Sequence, residues 1–65
     1  MNVQKLRGKI VGKGMNVETL AKEIGVNRSS MYRKLNNGKL TIGEVSKIKE
    51  VLDLSNEEAT DIFFD

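Results

Sequence analysis

Arg28, Ser29, Tyr32, Arg33 and Asn36 crowd five hydrogen-bonding side chains into one short stretch, spaced by ones, threes and fours. On a helix, residues three and four apart share a face, so this spacing gathers them into a single polar surface. Arginine contributes a planar fork of donors that matches carboxylates, phosphates and base edges, and the hydroxyls and amide add shorter donors and acceptors. The chemistry on offer is recognition by hydrogen bonding. It is not bond breaking: the chain has neither Cys nor His, which removes thiol nucleophiles, imidazole acid–base catalysis, disulfides and the usual zinc sites together.

Other chemistry-bearing patterns fail on spacing. A phosphate loop needs four residues between its glycines, then Lys and a hydroxyl residue after a strand, whereas Gly8 and Gly12 enclose three and Lys13 is followed by Gly14. Glu57, Glu58 and Asp61 lack the glycine and ligand spacing of a calcium loop. No nucleophile has a base to activate it, so neither catalysis, a metal nor a cofactor is expected.

Charge points toward a partner. The net charge of +2 conceals nine basic against two acidic groups over residues 1–40, a net of +7, and two basic against seven acidic over 41–65, a net of −5. A basic half attracts polyanions, so a polyanion is expected on residues 1–40, with the acidic half facing away.

The elements that must position this surface are read from periodicity. Val3, Leu6, Ile10 and Val11 form the buried stripe of a first helix that Gly12 and Gly14 end, with Lys5, Lys9 and Lys13 on another face that is either solvated or in contact with phosphate. Asn16 caps a second helix with Val17, Leu20, Ala21 and Ile24 inward, and Gly25 stops it. Asn27 caps a third helix to about Asn36, whose Met31 and Leu35 pack while its remaining side chains are polar; Lys34 is the least well placed of them for the outward face. Asn36, Asn37 and Gly38 signal a turn. Thr41 with Glu44, and Ser55 with Glu58, are capping boxes. The first opens a helix to about Leu52 with Ile42, Val45, Ile48 and Leu52 buried, and the second opens one with Ala59, Ile62 and Phe63 on one face. The expectation is an all-α fold of five short helices in a single domain over residues 1–65.

Residues 17–36 combine a short helix, a tight turn at Gly25 and a second helix with a basic outward face, with small Ala21 where the helices approach. Here the chain resembles the Cro and lambda-repressor-like (XRE-type) helix-turn-helix family, over nearly its whole length. Tyr32 to Asn36, the Thr41-opened helix and the closing Ile62, Phe63 and Phe64 resemble short repressor-type proteins of phages and prophages of Gram-positive bacteria. The resemblance implies a DNA-binding domain that lays its third helix in the major groove, with Arg28, Ser29, Tyr32 and Arg33 at base-reading positions. Val17, Asn27, Ser30, Asn36, Asn37 and Lys39 then fall at phosphate-contacting positions. Val17 departs from the Gln often found there, leaving only its backbone N–H at a helix N-terminus for the contact.

The resemblance further implies a sequence-specific transcriptional regulator, a repressor or Cro-like protein, with double-stranded DNA as partner, and the lack of a visible secretory or membrane segment makes a cytoplasmic location the expectation. The operator is expected to be palindromic and the protein a homodimer on it, with neither a membrane nor a small-molecule ligand involved. Phe64 lies off the Ala59, Ile62 and Phe63 stripe, and is either core filler or a dimer contact. An alternative is a protein-interaction module of the same fold, an antirepressor using the acidic half with Phe63 and Phe64. A basic membrane-surface peptide is a third reading, against which stands the lack of Trp and other bulky interfacial anchors.

Overall fold

The computed structural model describes residues 1–64. Among them are five α-helices and no strand: α1 (Val3–Gly12), α2 (Val17–Ile24), α3 (Arg28–Asn37), α4 (Ile42–Val51) and α5 (Asn56–Phe63). Each opens on a side-chain cap. Asn2, Asn16 and Asn27 accept backbone N–H groups of Lys5, Thr19 and Ser29, and both Thr41–Glu44 and Ser55–Glu58 close complete capping boxes. Helices of eight to ten residues are marginal alone, so tertiary packing must hold them.

That packing is one continuous apolar cluster. Leu6, Ile10, Leu20, Met31, Leu35, Ile48, Leu52 and Ile62 are essentially solvent-free, and every helix contributes at least one of them. Burying each such side chain stabilises the fold by about 1.5–3 kcal/mol before chain entropy is counted. The short α2 is the hub, packing against α1, α3 and α4. α5 returns to α1, where the Asn2 N–H donates to the Ile62 carbonyl at 2.6 Å.

Four apolar positions depart from the expected burial, and helix geometry explains them. At about 100° per residue, Ile42 points about 100° away from the Ile48/Leu52 direction and Val11 about 120° from Leu6/Ile10. Both are exposed, at 87% and 72%. Val3 and Val45 sit only about 40° off the same two directions, and both are half-buried.

Helix ends also differ in detail. Gly12 is the last residue of α1 and Lys13 its cap, and it is Gly14 that takes the left-handed backbone. Asn37 completes α3, with left-handed Gly38 after it. Between α4 and α5, Asp53 adopts a φ of 52° where the sequence offers no glycine. Aspartate is among the few residues that tolerate that region.

Candidate nucleic-acid interface

The α2–α3 corner is built by a glycine. Gly25 adopts a φ of 75°, its N–H donates to the Lys22 carbonyl at 3.2 Å, and the Val26 N–H donates to the Ala21 carbonyl at 2.8 Å. This is the paired hydrogen bonding of a Schellman cap, which reverses the chain without leaving the last carbonyls unsatisfied. Leu20, Ala21 and Ile24 then seat Met31 and Leu35 from below, fixing which face of α3 turns outward.

Opposite Met31 and Leu35, Arg33, Ser29 and Asn36 point about 120–180° away from the core direction, with Tyr32 on one flank and Lys34 on the other. Arg28, Ser29, Tyr32, Arg33 and Asn36 are all exposed, but Arg28, at the start of α3, points only about 40° from the core direction and stands apart from Arg33 by about 140°. Tyr32 is 40% exposed. Ser30 also points about 120° from the core direction and is half-buried.

The positions flanking it are partly engaged. Asn27 Oδ1 accepts the Ser29 N–H at 2.8 Å and Asn37 Oδ1 accepts the Lys39 N–H at 3.1 Å, which commits one oxygen of each exposed side chain to its turn. The Val17 side chain is buried, so only its backbone at the start of α2 is available. Lys39 is exposed just beyond Gly38.

Two glutamates missed as part of this surface hold α3 cations. Arg28 Nη1 lies 3.8 Å from Glu18 Oε1, both side chains being well exposed. Lys34 Nζ donates to Glu44 Oε2 at 2.6 Å, with the two side chains only 23% and 15% exposed. The Lys34 contact and the Thr41 backbone N–H hold the Glu44 carboxyl below its ordinary range. The available signal was Glu44 itself, read only as a helix cap. Among the described residues, Arg33 and Lys39 have no ion-pair partner, which leaves their charge available.

The charge halves do not simply face apart. Lys5 pairs with Asp61 at 2.7 Å and Lys9 with Glu58, so α5 lays its acids on the lysine row of α1. The Lys9 ammonium, then the Ser55 backbone N–H, lower the Glu58 carboxyl to about 2. The basic excess of residues 1–40 is therefore reduced along α1 and persists around α3. The Lys5 and Lys9 face, expected to meet water or phosphate, is instead an interhelical seam.

No helix among the described residues is long and apolar enough to cross a membrane. Neither a curated protein nor a solved structure matches the chain. The family model described as the Cro/C1-type HTH DNA-binding domain matches residues 5–65, in agreement with a helix pair that turns a basic, donor-rich face to solvent. The chain belongs to the Cro/C1-type helix-turn-helix DNA-binding domain family.

Proposed function

We propose that the protein is a sequence-specific regulator of transcription, a repressor or Cro-like protein of phage or prophage type. Residues 1–65 act as one DNA-binding domain whose helix-turn-helix unit spans 17–36. The observation that carries this reading is the division within α3, where Arg28, Ser29, Tyr32 and Arg33 are exposed while Met31 and Leu35 are sealed in the core. A helix in the major groove needs that division: one face anchored, the other free to offer donors to base edges.

In this reading Arg28, Ser29, Tyr32 and Arg33 read bases. Asn36, Lys39, the side chains of Asn27 and Asn37, Ser30 and the Val17 backbone hold phosphate and set the register. A second copy of the chain completes the unit on a palindromic operator, with half-sites about one DNA turn, ~34 Å, apart. Phe64 at 73% exposure and Ile42 at 87% line one apolar cleft with Leu40 and Val45, next to Gly38 at the end of α3, and this cleft supports that contact. Phe63, 9% exposed, belongs to the core and lines the same cleft.

Selection of bound duplexes from a random-sequence pool tests the proposal. A single motif with two-fold symmetry is the expected result. A bound pool without sequence preference overturns it.

A further inference from the structure

α3 carries three cations, Arg28, Arg33 and Lys34, and they are not equally available. Arg33 is exposed and has no ion-pair partner among the described residues, and the Arg28 pair with Glu18 is long and open to water. Lys34 differs in every respect. Its ammonium meets Glu44 Oε2 at 2.6 Å in a largely covered position, and the carboxylate it meets is itself immobilised. Glu44 Oε1 accepts the Thr41 N–H at 2.9 Å, and the Glu44 N–H donates to Thr41 Oγ1 at 3.1 Å. One oxygen caps α4 while the other holds Lys34.

We propose that Glu44 is a positioning residue that pins the Lys34 ammonium to the start of α4, keeping one α3 cation from neutralising DNA phosphate. Glu44 thereby sets the charge with which the α3 surface meets a duplex, and so how strongly it holds DNA of any sequence. The physical reason is a competition. To reach a phosphate, Lys34 would abandon a short charge-assisted hydrogen bond and strand a mostly covered carboxylate, whereas Arg33 and Lys39 abandon only water. This inference rests on the DNA-binding reading above.

The test is a salt titration of binding to a random-sequence duplex, with wild type, Glu44→Gln, Lys34→Met and the double variant. Gln can serve in a capping box, so Glu44→Gln removes the charge and keeps the cap. Freed Lys34 adds one phosphate contact, steepening the log–log salt slope by about 0.9. That equals about 3.5-fold more affinity lost between roughly 50 and 200 mM salt. Lys34→Met keeps the wild-type slope, and the double variant returns to it. Circular dichroism reports folding of each variant, and the Lys34→Met arm is decisive by itself. A flatter slope in Lys34→Met, meaning that Lys34 already touches phosphate, overturns the inference, as does an unchanged slope in folded Glu44→Gln. Wild type that holds no duplex overturns the DNA-binding reading as well, so the two failures are distinguishable.

Discussion

Arg28, the first residue of α3, reaches back across the Gly25 turn to Glu18 in the first turn of α2, with Nη1 3.8 Å from Oε1. Both side chains are more than half exposed, and ion pairs in that setting are worth little. Arg28→Ala therefore changes folding stability by less than about 0.5 kcal/mol in urea titration. Its effect on recognition is larger. Loss of a bidentate base contact costs ~1–3 kcal/mol and relaxes preference at one base pair of the selected operator. An Arg28→Ala protein with intact preference at every position would show that the guanidinium stays with Glu18.

Lys39 lies past Gly38, exposed and without an ion-pair partner among the described residues. In the proposed reading it contacts phosphate, and a phosphate contact carries no sequence information. Lys39→Ala is expected to weaken operator and random DNA by the same factor and to flatten the salt slope by about 0.9. Unequal loss on the two DNAs contradicts a backbone role.

Two glycines make opposite predictions about stability. Gly25 has a φ of 75°, and an added Cβ there would meet no atom within 4 Å, so the cost of Gly25→Ala is purely backbone strain. That cost is about 1–2 kcal/mol. Gly8 lies inside α1 with equally open space around a Cβ. Gly8→Ala gains about 0.5–1 kcal/mol from helix propensity alone. Denaturant midpoints should move in opposite directions, and a stabilising Gly25→Ala would contradict the turn geometry.

Much of the fold was legible in the sequence because short helices are specified locally. Asn16, Asn27, Thr41 and Ser55 all cap where their types predict, and Gly25 marks the corner it forms. The inward direction of α3 was equally legible, since Met31 and Leu35 alone define it. The losses are of two kinds. Ile42 and Val11 are apolar but point away from their helices' stripes, so residue type misled where angle decides. The Lys9–Glu58 and Lys34–Glu44 pairs join residues on different helices, and helical periodicity carries no signal for such tertiary contacts. Asp53 shows the same limit in the backbone, turning left-handed without a glycine to announce it.

Acid should loosen the two seams that glutamates hold. Lys9 and the Ser55 cap lower Glu58 from 4.5 to about 2, and Lys34 with the Thr41 cap lowers Glu44. A carboxylate with a depressed folded-state pKa binds fewer protons folded than unfolded. Its stabilisation is therefore present above the unfolded value near 4.5 and is lost as pH falls through the folded value. The urea midpoint should decline between about pH 5 and about pH 2. Glu58→Gln keeps a cap-competent side chain and should make that decline shallower, whereas an identical pH profile would mean that the Lys9 contact contributes nothing.

Ile42 and Phe64 are exposed in the single chain, so removing their apolar atoms takes little from its own stability. Across a two-fold interface each appears twice, and burying four such side chains at even half the usual gain amounts to more than about 3 kcal/mol. The double variant Ile42→Ser, Phe64→Ser should therefore keep the wild-type melting temperature within a few degrees. Its self-association, read by sedimentation equilibrium, should weaken by more than about a hundredfold. Binding to an isolated half-site should be unaffected, because α3 and its flanking turns are untouched, while affinity for the full palindrome should fall with the dimer. Wild-type chains that stay monomeric on the full site, or a double variant that still pairs, would assign the cleft beside Gly38 to something other than a second copy.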